Sequence, residues 1–156
     1  MIAVPEIALA TIADAQAIAV LARDEIEHGL GWSWTPARVQ HCIRDPRSNV
    51  IVARDGVGVI GFALMSYDAE HAHLLLFGIA PAWRRRGVAS ALWAWLEATL
   101  RTAGIRSAQV ELRASNLAAR AFYERVGFEQ VNATQRYYRG VETALHMVKE
   151  LTAGSS

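Results

Sequence analysis

Apolar positions recur along this chain with two different periods, and each period predicts its own kind of element. Glu6 to Ala10 reads as a short strand. Thr11 followed three residues later by Asp14 then opens a helix reaching about His28, which Gly29 to Trp34 breaks. Thr35-Pro36 supplies an N-cap and an N1 proline for a second short helix to about Ile43. Asn49 to Arg54 and Val57 to Ser66 are rich in valine and isoleucine, and Asp55-Gly56 between them predicts a hairpin. His73 to Ile79 adds a third strand after a turn at Asp68 to Ala72.

From Gly87 the period lengthens. Val88, Ala91, Leu92, Trp95, Leu96, Thr99 and Leu100 recur at three and four, an amphipathic helix that stops near Gly104. Ile105 to Arg113 reads as a strand, and a strand, helix and strand of this size form a right-handed crossover, so the two strands lie parallel. Ser115-Asn116 caps a further helix to about Val126, with Phe122 turned to the core alongside Ala118 and Val126. Gly127 ends it, and Phe128 to Tyr137 with Thr143 to Lys149 closes a hairpin. The sum is an α/β (α+β) fold of about four helices on a mixed, mostly antiparallel sheet of about seven strands with a parallel central pair. One domain over 1–151 and a disordered tail over 152–156 are expected.

Composition narrows the function. The chain has 156 residues, 53% hydrophobic and 20% charged, a balance that fills a core and argues against disorder. Its net charge of +1 offers no global field for nucleic acid or a membrane surface, so neither is expected as a partner and any anion site must be local. The single Cys42 allows no internal disulfide and fits a reducing compartment. No apolar run approaches the roughly 18 residues that span a bilayer, and a cytoplasmic protein is expected. His71 and His73 share a strand face without an evident third ligand, so no metal is expected. The oligomeric state stays open, a homodimer among the alternatives.

Arg84-Arg85-Arg86-Gly87-Val88-Ala89-Ser90 is a basic turn that leaves a strand and enters a helix at a residue without a side chain. The first N–H groups of such a helix lack intrahelical partners and point along the positive end of its dipole, which suits a phosphate. The plainer alternative is three solvated arginines beside an ordinary helix start. Asn116 and Tyr123 stand seven residues apart, on one helical face, where amide and phenol could grip an elongated ligand. Their structural alternatives are an N-cap and a packing tyrosine. Trp32 and Trp34 are either a pocket wall or a staple for their loop.

Taken in order, Ile79-Ala80-Pro81, Arg84-x-x-Gly87-x-Ala89, Asn116 and Phe122-Tyr123-Glu124-Arg125-Val126-Gly127-Phe128 resemble the GNAT superfamily of N-acetyltransferases over Leu74 to Leu151. The resemblance implies acetyl-CoA between splayed parallel strands, its pyrophosphate on the amides of Arg85 to Ser90 with Arg84 beside it. It further implies pantetheine along Phe77, Gly78 and Ile79 and near Asn116, and a thioester by Tyr123, which protonates the departing thiolate. Gly31-Trp32-Ser33, Glu111-Leu112-Arg113-Ala114-Ser115-Asn116, and Arg136-Tyr137-Tyr138 with Glu142 and Met147 are similar to the ribosomal-protein-alanine N-acetyltransferase group. That likeness implies a protein or peptide N-terminus as acceptor, Glu111 as general base, and Tyr137 and Tyr138 at the peptide end.

The chemistry agrees with such an acceptor. An α-amine with pKa about 8 is roughly 10% neutral at pH 7, whereas a lysine near 10.4 is about 0.04% neutral. Glu111 on its strand faces away from Val110 and Leu112, so it lines the acceptor side or sits as a surface carboxylate. A backbone N–H near Ile79 would hold the carbonyl oxygen, and Tyr123 with an ordinary pKa near 10 would be protonated. A small-molecule amine as acceptor, or a non-catalytic acyl-CoA-binding module, are the alternatives.

Overall fold

A computed structural model of the chain describes residues 5–27, 32–56, 58–138 and 142–151; the side chains of 135–138 and 142 are not among those described. The strands are β1 (Glu6–Leu9), β2 (Ser48–Asp55), β3 (Gly58–Tyr67), β4 (His71–Ile79), β5 (Ser107–Arg113), β6 (Glu129–Tyr138) and β7 (Glu142–Glu150). The helices are α1 (Ala15–Glu25), α2 (Pro36–Arg44), α3 (Val88–Thr102) and α4 (Leu117–Arg125). The strands hydrogen-bond in the order β1-β2-β3-β4-β5-β7-β6. β4 and β5 pair in parallel from His71 opposite Ser107 to Leu74 opposite Val110, as the crossover argument requires. The expected mixed sheet with four helices holds.

Chain packing separates two compact units, Met1–Ser66 with Leu75–Ala98, and Tyr67–Leu74 with Thr99–Ser156. In the first, Ile18, Ala19, Ala22, Trp34, Val39, Val50, Val52, Phe62, Leu64 and Leu76 form the buried cluster. α1 is entered through a 3₁₀ turn at Ile12–Asp14, where the Thr11 N–H donates to Asp14 Oδ2 at 2.7 Å. Arg54 then grips both oxygens of the buried Asp14 at 2.6 Å each, and this pairing holds the carboxyl below its usual range. α1 ends earlier than its periodicity predicts, because the Ile26 and Glu27 amides both donate to the Ala22 carbonyl. The hairpin pairs Asp55 with Gly58, one residue further along than an Asp55-Gly56 turn, with a bulge between Ala53 and Arg54 absorbing the shift.

Two glycines set the spacing of β3 and β4. A Cβ on Gly61 would lie 2.9 Å from Ile79 Cδ1 and 3.2 Å from Val88 Cγ1, and one on Gly78 would lie 2.8 Å from Phe62 Cε1. Only glycine lets these neighbours approach. In the second unit, Ala108, Val110 and Leu112 of β5 are buried while Gln109 and Glu111 alternate outward. α4 closes against β7, where Lys149 Nζ donates to the Val126 carbonyl at 2.6 Å, and Gly127 leaves the helix with φ 106°.

Candidate active site

The basic turn begins where β4 ends. The Ala80 N–H donates to the Ile60 carbonyl at 2.8 Å, so strand alternation turns the Ile79 N–H to the opposite edge of β4. Phe77 and Ile79 are half-buried and Gly78 is buried. A 3₁₀ turn at Pro81–Trp83, not expected from the periodicity, carries the chain on to the helix. Arg85 (φ 62°) and Gly87 (φ 84°) take left-handed conformations there. The Gly87 carbonyl accepts the Ala91 N–H at 3.0 Å and starts the α3 ladder.

The start of α3 is open. Gly87 and Ser90 are exposed, Ala89 is half-buried, and a Cβ placed on Gly87 would meet no atom within 4 Å. Val88 is buried and anchors this first turn. A fifteen-residue helix therefore presents its positive end to an approaching anion. The three arginines are not equivalent. Arg84 donates to Glu25 of α1, and the Arg86 guanidinium lies 5.2 Å from the centre of the Trp83 ring, while Arg85 is exposed at the bend.

The first inter-helix loop is tied down by a carboxylate that the sequence did not single out. Buried Glu27 accepts the Ser33 N–H at 2.9 Å, the Trp34 N–H at 3.1 Å and the Ser33 hydroxyl. Trp34 lies in the core cluster with the Arg38 guanidinium 3.7 Å above its ring. Its position favours the staple over the pocket wall. Trp32 is 39% exposed, and its indole N–H donates to the Ala19 carbonyl at 3.2 Å. The expectations for His28 and Gly31, and for the Tyr137 and Tyr138 side chains, lie outside the described residues.

The second unit carries the titratable groups. Glu111 of β5 faces His146 of β7 across the antiparallel ladder, with Glu111 Oε2 3.5 Å from His146 Nδ1. His146 Nε2 lies 3.0 Å from the Thr134 hydroxyl of β6. His73 shares this neighbourhood: burial holds its imidazole below the ordinary value, while the Glu111 charge pulls it up and His146 pushes it down. The two histidines read together from sequence divide their partners, for His71 Nδ1 lies 2.8 Å from the Ser107 hydroxyl. Among the described residues no group of three or more His, Cys, Asp or Glu is arranged to hold a metal.

α4 holds its two expected residues in unlike surroundings: Asn116 is the exposed N-cap, accepting the Ala119 N–H at 3.1 Å, and Tyr123 is only 5% exposed. Phe122 is buried as expected, but Ala118 is exposed, so the helix buries two adjacent rings instead of a single stripe. Tyr123 meets Phe122 and Phe128 edge to face at 5.5 and 5.4 Å. Burial pushes its phenol well above the ordinary tyrosine value, so its proton is held more firmly than a solvated phenol would hold it.

Proteins similar to this chain in sequence and in fold are known. N-alpha-acetyltransferase RimI of Mycobacterium tuberculosis is 33% identical over 113 residues, 68% of each chain. A ribosomal protein bS18-alanine N-acetyltransferase of Salmonella typhimurium is 35% identical over 89 residues, 55% of this chain and 60% of that one. Among solved structures, Ard1 of Thermoplasma volcanium superposes with a TM-score of 0.85 at 25% identity, covering 96% of this chain and 99% of that one. The acetyltransferase (GNAT) family pattern matches residues 15–128, from the start of α1 to the glycine turn after α4. With most of its length inside that pattern, the chain belongs to the acetyltransferase (GNAT) family.

Proposed function

We propose that this protein transfers the acetyl group of acetyl-CoA directly, in a ternary complex, to the α-amine of a peptide or protein N-terminus. The observation that carries the reading is the exposed start of α3 at Gly87, where a Cβ would meet no atom within 4 Å. In this reading the amides of Arg85, Arg86, Gly87, Val88, Ala89 and Ser90 take the coenzyme's diphosphate, with Arg84 beside it. The pantetheine arm follows Phe77, Gly78 and Ile79 and passes Asn116. The Ile79 N–H polarises the thioester carbonyl, Glu111 takes the amine proton, and Tyr123 protonates the departing thiolate.

The acceptor follows from two supports. The relatives named for N-terminal or alanine acetylation match this chain at about one third identity, and an α-amine needs far less deprotonation than a lysine. Trp32, Tyr137 and Tyr138 are read as the acceptor side, Trp32 being the exposed member of the tryptophan pair while Trp34 staples the loop. A cytoplasmic location goes with this reading, since Cys42 is a free thiol. No described helix is long and apolar enough to cross a membrane.

The test is a panel of acceptors read by release of the CoA thiol: a peptide beginning with alanine, the same peptide N-acetylated, and free small amines. Turnover of the free-amine peptide alone is expected. Turnover of small amines with silence from peptides would move the assignment to a small-molecule acetyltransferase. Coenzyme binding without turnover of any amine would make the chain an acyl-CoA-binding module.

A further inference from the structure

We infer that His146, with Thr134 behind it, is a positioning residue that holds Glu111 and forms the exit for the proton removed from the acceptor amine. The inference rests on Glu111 acting as the base, as proposed above. It goes further by assigning a route through β7 and β6.

The register of the ladder makes the arrangement. Glu111 and His146 are direct cross-strand partners, so both side chains leave the same face of the sheet, and Thr134 of β6 stands one strand further out. Glu111 Oε2 lies 3.5 Å from His146 Nδ1, and His146 Nε2 lies 3.0 Å from the Thr134 Oγ1. The imidazole is thus engaged at both nitrogens, one toward the carboxylate and one toward an exposed hydroxyl. Exposure follows the same direction, since the Glu111 and His146 side chains are 24% and 29% accessible and Thr134 is exposed outright.

The proton balance closes without a further reactant. An acceptor N–H proton passes to the Glu111 carboxylate, making the acid. The acid passes it to Nδ1 of neutral His146, regenerating the carboxylate and leaving an imidazolium. The imidazolium gives its Nε2 proton toward Thr134 Oγ1 and water, so one proton moves from amine to solvent. A solvent proton returns to the Tyr123 oxygen that protonated the thiolate, and exchange with water moves the remaining ring proton from Nδ1 back to Nε2. His73 on β4 is the other imidazole that senses this pair, and burial favours its neutral form. Strand alternation places His71 of β4, Arg113 of β5 and Glu150 of β7 on the same face, two to four residues along their strands. Among them His71 is directed to Ser107.

The experiment is a pH profile of kcat with acetyl-CoA and the alanine-starting peptide for the wild type, Glu111→Gln, His146→Gln, His146→Ala and Thr134→Val. His146→Gln should lower kcat about tenfold at neutral pH, a fraction of what a full acid–base group contributes, and change the shape of the pH profile. The KM for acetyl-CoA should not move. Added imidazole should restore much of the rate of His146→Ala, which a merely structural role for the ring would not permit. If a slow Glu111→Gln is accompanied by a His146→Gln of wild-type rate and profile, or by a His146→Ala indifferent to imidazole, the exit route is overturned and the base stands. A Glu111→Gln of wild-type rate overturns both. Thr134→Val, at an exposed position, serves if the His146 variants do not fold. It should lower kcat about threefold, and a wild-type rate and profile would overturn the exit.

Discussion

Replacing Gly87 by alanine separates the fold from the coenzyme cradle. The added Cβ meets no protein atom within 4 Å, so no packing penalty is expected. What remains is the left-handed backbone at φ 84°, which costs a residue with a side chain about 1–2 kcal/mol. For a chain of this size that lowers Tm by roughly 2–8 °C. In the proposed cradle the same methyl would crowd a coenzyme diphosphate that has to come within hydrogen-bonding distance of the amides opening α3. Losing one hydrogen bond to a charged group costs about 1.5–3 kcal/mol, or about 10- to 150-fold in Kd. Calorimetric titration with acetyl-CoA, beside thermal unfolding followed by circular dichroism, reads the two effects apart. A folded Gly87→Ala protein that binds acetyl-CoA as tightly as the wild type would refute the cradle.

Three other perturbations follow from the geometry. Tyr123→Phe should lower kcat by about 10²-fold or more while acetyl-CoA affinity holds, because the phenol is proposed to act on the leaving sulfur and not on the diphosphate; initial-rate kinetics at saturating substrates checks it. Gly78→Ala drives a Cβ to 2.8 Å from the fully buried Phe62 and should cost about 1–3 kcal/mol in urea unfolding. Arg54→Met strands the buried Asp14 and should cost about 2 kcal/mol at pH 7, below the range for breaking a fully buried pair because Arg54 is 31% exposed. Since the Asp14 carboxyl is held below its unfolded value of about 3.9, the stability it contributes is present above that pH and lost as pH falls through the lower folded value. The difference between Arg54→Met and wild type should therefore shrink in unfolding curves taken below about pH 4.

Local signals located the elements because they are written in adjacent residues. Thr35-Pro36 caps α2, with the Thr35 hydroxyl accepting the Arg38 N–H, and Gly104 and Gly127 take the positive φ that ends helices. The basic turn and the helix start it enters were legible for the same reason, since the arginines, a glycine and the first helical residues are contiguous from Arg84 to Ser90. Long-range pairings were not. Glu25 joins Arg84 across 59 residues, and Glu111 meets His146 only through a strand register that no periodicity encodes. Glu27 escaped notice because a carboxylate near a helix end reads as solvated until loop amides are seen donating to it. Burial along α4 was not legible either: a seven-residue spacing puts Asn116 and Tyr123 on one side of a helix, yet Asn116 caps the helix in solvent while the neighbouring rings at 122 and 123 are both buried.

The most direct measurement incubates the purified chain with acetyl-CoA and a lysine-containing peptide that begins with alanine, and maps the product by tandem mass spectrometry. One acetyl group on the α-nitrogen, formed in step with free CoA thiol, is the expected product. A peptide recovered unmodified, or acetylated on its lysine side chain alone, would contradict it.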